Sequence, residues 1–164
     1  MNIPTESECI RLLEEQGVAD AILGHSLRVE TVAQRVMDVL ERRGVKVNRA
    51  LVEAACLLHD ILKPIDPKNH VWKGAQLIAS KGYPEVAKVM SKHAIPIIPG
   101  NEPETIEEKI MLYADMRVKP GKICSLRERF DYIEKAYPQL KDELEATYEY
   151  VRKIEKELLE DEEI

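Results

Sequence analysis

The sequence predicts an all-α fold, and three observations carry that expectation. Apolar residues recur every three or four positions along most of the chain, no apolar/polar alternation is long enough for a strand, and helix-capping patterns precede several periodic stretches. An aromatic content of 5% beside 45% hydrophobic residues adds an aliphatic interior, as suits packed helices. The 164 residues are the length of one domain and contain no internal repeat or low-complexity segment, so a single helical domain over 1–164 is expected.

Thr5 and Glu8 make a capping-box pattern opening a helix that runs to Gln16 and stops at Gly17. Asp20 is the expected cap of the next helix, in which Ile22, His25, Val29, Val32, Val36 and Val39 share a face and Gly44 marks the end. Asn48 caps a third helix. Its second half, Ala54 to Leu62, is apolar all round apart from His59 and Asp60, which places it at the centre of the core. Pro64 and Pro67 break the chain, and two short helices follow, His70 to Ser80 and Pro84 to His93, paired as a hairpin turning on Lys81-Gly82. Ile95 to Pro103 is too proline-rich for a helix and too apolar for a free linker, so a packed rim loop is expected there. Thr105 and Glu108 repeat the capping box ahead of a helix through Asp115. Beyond Lys119-Pro120-Gly121, a segment broken at Pro138 leads into a charged helix over about 139–160, rich in Glu/Lys pairs at helical spacing. The acidic end, 160–164, is expected to fray.

With 24 Lys+Arg against 30 Asp+Glu and a formal charge of -6, the chain lacks the basic face that binding to nucleic-acid backbone requires, and no nucleic-acid partner is expected. No apolar run approaches the roughly 20 residues of a membrane span, and the opening MNIPTESE is too polar for a signal peptide. A cytoplasmic location without membrane attachment is the expectation. Cys9, Cys56 and Cys124 are odd in number and show no CxxC spacing, so they are read as reduced thiols. The oligomeric state is left open.

Asp60 and Asp115 each interrupt an apolar stretch. An ionised carboxylate inside a core is strongly disfavoured unless it is paired or bound to a metal, and few lysines or arginines are placed to be buried with them. All four histidines, His25, His59, His70 and His93, also lie on apolar helical faces or at their ends. A single core histidine is ordinarily just hydrogen-bonded; four imidazoles and two carboxylates able to converge make a ligand set. Mixed His/Asp donors suit divalent Mn, Fe, Co, Ni, Zn or Mg, and six are enough for one or two ions. A carboxylate bridging two metals holds them roughly 3.5–4 Å apart, where a shared water is nucleophilic at neutral pH, which is hydrolytic chemistry.

His25 in HSLRV, the pair His59-Asp60 in LLHDILK, and Asp115 in LYADMRV, in that order over residues 20–118, resemble the HD-domain superfamily of metal-dependent phosphohydrolases. The resemblance implies an HD-type helical bundle and a metal held by His25, His59, Asp60 and Asp115. His70 in HVWKGAQLI and His93 in MSKHAI stand where the dinuclear subset of the family carries two further histidines, with Asp60 the implied bridge. An acid or substrate-contact role for either histidine is the alternative. The common family string His-Asp-Ile-Gly-Lys reads His59-Asp60-Ile61-Leu62-Lys63 here, with leucine in place of glycine. Lys63 keeps the basic position, which in the family often contacts a phosphate or a neighbouring acid. Arg28, one turn beyond His25, and Arg117, two residues beyond Asp115, are further candidates for meeting an anion, and Asp60, Lys63 and Arg28 form the expected catalytic set. The plainer reading of Lys63 is a charge at a helix C-terminus, and of the two arginines surface ion-pair partners. What the resemblance implies is a metal-dependent phosphohydrolase acting on a small phosphate ester, with nucleotides the expected class. Two alternatives stand beside it: a catalytically silent sensor that binds metal and nucleotide, and a di-iron oxygenase, since some HD-fold proteins with the same six-ligand set cleave carbon bonds with mixed-valence iron.

Overall fold

The computed structural model describes residues 1–164, and it is built from eight α-helices and one small hairpin. Thr5 and Glu8 close their capping box at the start of α1 (Glu6–Glu15). α2 (Asp20–Arg42) buries Val29, Val32, Ala33, Val36, Met37, Val39 and Leu40 along one stripe. Asp20 is not its cap: Ala19 holds that position without a side-chain hydrogen bond, and Asp20 is the first helical residue, acting through its charge on the positive helix end. Asn48 accepts the Leu51 N–H and opens α3 (Arg49–Leu58), every residue of which from Leu51 onward is buried except Glu53.

α3 ends four residues earlier than its apolar run suggests. From His59 the chain continues as tight turns, with Ile61 N–H donating to Leu58 O and Lys63 N–H to Asp60 O in the i→i+3 manner. Apolarity persists through Ile61 because the turns are buried, not because they are helical. α4 (His70–Ser80) and α5 (Pro84–Met90) form the expected hairpin, and Gly82 supplies the left-handed φ of 94° at its turn. α5 stops three residues short of His93, which therefore sits in a turn. The loop 95–103 packs as expected, with Ile95 and Ile97 against the core and the Ile97 N–H donating to Thr147 Oγ1.

Thr105 and Glu108 close a second capping box at α6 (Ile106–Asp115), where Ile110 through Asp115 are all buried. Two elements then depart from expectation. Val118–Lys119 (β1) and Lys122–Ile123 (β2) pair antiparallel across a turn in which Gly121 has a φ of 75°, and two-residue strands are too short to show alternation. Ser125 and Glu128 make a third capping box that opens α7 (Leu126–Ala136). A short 3₁₀ turn at Pro138–Leu140 leads into α8 (Lys141–Leu159).

α3 is the hub, packed against α1, α2, α5 and α6, while α8 closes over α2, α6 and α7. One connected cluster of buried apolar residues runs from Cys9 to Leu159, and each fully buried member such as Leu57 or Met111 contributes about 1.5–3 kcal/mol against the entropy of ordering. The helix stops at Leu159, and in the acidic end beyond it Glu160 has a φ of 54°, its carboxylate takes Arg43 at 2.6 Å, and Glu162 takes Arg42 at 2.7 Å. All three cysteines are free and buried. No helix is long and apolar enough to cross a membrane.

Candidate metal centre

All six His and Asp residues singled out in the sequence come together. His25 projects from α2, His59 and Asp60 from the turns ending α3, His70 from the first position of α4, His93 from the turn after α5, and Asp115 from the last position of α6. Elements far apart in sequence thus bring their ends to one point inside the bundle. The ligand-capable atoms form two groups, His25/His59/Asp115 and Asp60/His70/His93, in each of which all atoms lie within 4.8 Å of one another.

Asp60 joins the groups. Its Oδ1 lies 3.1 Å from His70 Nε2 and 3.6 Å from His93 Nε2. Its Oδ2 lies 3.5 Å from His59 Nε2 and 3.9 Å from His25 Nε2. In the first group Asp115 Oδ1 is 3.0 Å from His25 Nε2 and 3.6 Å from His59 Nε2. Adjacent residues in the chain, His59 and Asp60, therefore serve different groups while remaining in reach of each other.

Three of the imidazoles share one orientation. His59 Nδ1 lies 2.8 Å from Cys56 O, His70 Nδ1 2.8 Å from Pro67 O, and His93 Nδ1 2.5 Å from Met90 O. A carbonyl only accepts, so each Nδ1 carries the proton and donates, and each Nε2 turns a lone pair toward the centre. This is the arrangement that metal-binding histidines use, the backbone carbonyl fixing both tautomer and ring direction. His59 Nε2 and Asp60 Oδ1 are buried and have no hydrogen-bond partner despite the crowd of nitrogens and oxygens around them. Two buried, orphaned ligand atoms, with hard oxygen and borderline nitrogen around them, fit divalent ions well.

The electrostatics agree with that fit. Burial works against ionisation of Asp60, but His59, His70, His93 and Lys63 outweigh it and hold the carboxyl well below the usual range. For Asp115 burial is likewise overcome by His25 and His59. Burial pushes the His59 pKa down and keeps its imidazole neutral, as a ligand must be, whereas in His93 the same burial is outweighed by Asp60 and the pKa rises.

Lys63 donates to Asp60 Oδ2 at 2.7 Å from a side chain that is 43% exposed, so it stands at the mouth of the centre. Leu62, where the family string has glycine, is part-buried with an ordinary negative φ, so the position needs no glycine here. A Cβ on Gly74 would lie 3.4 Å from Met90 Cε and 3.5 Å from Ile61 Cγ2, ordinary packing contact between α4, α5 and the turns carrying Asp60. Arg28 donates to Gly24 O at 2.8 Å on its own helix. Arg117 donates to Cys124 O and to the Tyr113 hydroxyl, with Glu155 3.8 Å away.

A helical bundle that gathers four histidines and two aspartates from separate elements defines a protein class able to hold divalent metal. The HD domain family matches residues 22–117, which enclose every one of the six, and the chain belongs to that family. It is 30% identical over 146 residues to a tRNA (cytidine(56)-2'-O)-methyltransferase of Picrophilus torridus, a match covering 80% of this chain and 41% of that protein. The protein of the same name from Thermoplasma volcanium is 29% identical over 147 residues, covering 81% of this chain and 42% of the relative. A dihydroneopterin 2',3'-cyclic phosphate phosphodiesterase of Methanocaldococcus jannaschii is 31% identical over 111 residues, covering 57% of this chain and 44% of the relative. The chain thus spans less than half the length of these curated relatives. No solved structure matches.

Proposed function

We propose that this chain is a metal-dependent phosphohydrolase acting on a small phosphate ester, with a nucleotide or related heterocyclic phosphate as the substrate class. The observation that carries the reading is Asp60, whose two oxygens face two separate groups of ligand-capable atoms. The phosphodiesterase among its relatives supports the reaction type. Divalent ions held there would supply Lewis acidity and an activated water. The chain's own residues do the rest. His25, His59 and Asp115 would hold one ion and Asp60, His70 and His93 a second, with the other Asp60 oxygen within 4 Å of His59 and His25. Backbone carbonyls of Cys56, Pro67 and Met90 lock three of the rings in place, so little reorganisation accompanies the reaction. Lys63 steadies Asp60 and places a cation at the mouth of the site, and Arg28 lies one turn from His25 with part of its guanidinium free of the Gly24 carbonyl.

The test is elemental analysis of protein purified without chelators, followed by a panel of nucleotide monoesters, diesters and cyclic phosphates with Mn, Co, Ni and Mg. Metal-dependent turnover of a phosphate ester is expected. A second reading is favoured by the two methyltransferase relatives, which cover four fifths of this chain in proteins more than twice as long as the matched segment: a metal- and nucleotide-binding module without turnover. Tight nucleotide binding with no hydrolysis across the panel would establish that reading, and dioxygen uptake tied to turnover would establish the oxygenase instead.

A further inference from the structure

The two ligand groups are alike in composition, each with two histidines and one aspartate, but the chain holds them differently. In the Asp60/His70/His93 group both rings are locked, His70 Nδ1 lying 2.8 Å from Pro67 O and His93 Nδ1 2.5 Å from Met90 O. Each Nδ1 donates to its carbonyl, so a neutral ring turns its Nε2 lone pair inward. The two Nε2 atoms are 3.4 Å apart, and Asp60 Oδ1, buried and without a hydrogen-bond partner, is 3.1 Å from one and 3.6 Å from the other. Three electron pairs facing one another at these distances repel unless a cation lies among them.

The His25/His59/Asp115 group is less prepared. His59 is locked by Cys56 O at 2.8 Å, but His25 makes no such bond through Nδ1. Its hydrogen bond runs from the ligand atom itself, Nε2, to Asp115 Oδ1 at 3.0 Å. The Asp60 oxygen on this side, Oδ2, lies 3.5 Å from His59 Nε2 and 3.9 Å from His25 Nε2, and it already accepts Lys63 Nζ at 2.7 Å. An ion entering here has to draw His25 off Asp115 and compete with an ammonium for Asp60, while nothing behind His25 fixes its ring. Loss of the partner behind a ligating histidine costs about 10–100-fold in metal affinity.

We propose that the two groups load unequally and in order: Asp60, His70 and His93 take a tightly held ion, and His25, His59 and Asp115 take a second, exchangeable one. His25 is the ligand that comes and goes, and the supply of free divalent metal sets how much of the protein is fully loaded. The proposal rests on the metal centre of the phosphohydrolase reading, not on the reaction assigned to it.

The experiment uses the full chain stripped by a chelator, checked by helical circular dichroism and titrated with Mn alone. Calorimetry reads the affinities, and elemental analysis after dialysis at fixed free Mn reads the stoichiometry. Wild type is expected to bind two Mn in separate steps, the second about 10–100-fold weaker. His25→Ala is expected to keep the tight step and lose the weak one, and His70→Ala to lose the tight step; His25→Gln and His70→Gln carry the comparison if the alanine variants do not fold. Lys63→Met, which frees Asp60 Oδ2, is expected to tighten the second step more than the first, a gain that damage to the fold does not produce. Two equal steps or a single ion in wild type overturn the order, as does a tight step lost from a folded His25 variant or kept in a folded His70 variant. A Lys63→Met protein whose second step is no tighter overturns it as well. Ordered loading without turnover of any phosphate ester leaves the proposal standing and removes the hydrolase reading; ester turnover with two equal steps does the reverse.

Discussion

Asp60 faces two ways, and most of the centre's chemistry depends on it. It is the one carboxylate within 4.0 Å of all four imidazoles and of Lys63, so its removal strips both ligand groups of a shared anion. Asp60→Ala is expected to lower metal content and to reduce phosphate-ester turnover by more than about 100-fold, read by elemental analysis and steady-state rates; full metal content with activity would exclude the bridging role. Glu30, on α2, is a different kind of residue: burial, reinforced by Glu53 and Glu6, pushes its carboxyl up to about 7. A pKa raised in the folded state favours folding below the unfolded value of 4.5, and that contribution is lost as pH rises through 7. Glu30→Gln is therefore expected to stabilise the protein by ~1–2 kcal/mol at pH 8 and hardly at all at pH 4, measured by urea unfolding at both. A pH-independent gain would show that the carboxylate's charge is not the cause. The six His and Asp residues were legible because an ionisable letter inside an apolar run is conspicuous; Glu30 was not, because among many charged letters only packing reveals which are part-buried.

At the scale of elements, the capping boxes were the most readable local signal. Thr105 Oγ1 accepts the Glu108 N–H at 3.2 Å, while the Glu108 carboxylate takes the Glu104 and Thr105 N–H groups at 2.7 and 3.2 Å. Thr105→Ala is expected to cost about 1 kcal/mol, seen as a lower denaturation midpoint with an unchanged slope. The same pattern at Ser125 and Glu128 stood in the sequence and would have revealed α7, but the helix it opens is so highly charged that its thin apolar stripe does not stand out. The end of α3 was illegible for the opposite reason. A buried turn and a buried helix are equally apolar, so composition gives no boundary between Leu58 and Pro64.

For the whole molecule, the consequence of gathering these residues is linkage between metal and stability. Ions that bind only the folded chain are expected to raise Tm, by about 2.7 kcal/mol of stability when present at 100 times their Kd, and a chelator to reverse it. A Tm indifferent to Mn, Co and Ni in a folded wild type would argue that the two ligand groups do not hold metal. The depressed carboxyls of Asp60 and Asp115 give the metal-free protein a matching acid limit: their contribution is full above the ordinary carboxylate pKa and is lost as pH falls through their lower folded-state values.

The sequence by itself determined the helical class, the order of the principal helices and the six residues with ligand chemistry, because periodicity, capping and the rarity of buried charge are local properties. Only the tertiary structure decided that Asp60 faces two groups of ligand-capable atoms, that Arg117 is bonded to Cys124 O and the Tyr113 hydroxyl, and that Glu30 is part-buried. Those facts depend on distances between elements as much as 90 residues apart, such as the 3.0 Å from His25 to Asp115, and no local pattern encodes where two helix ends meet.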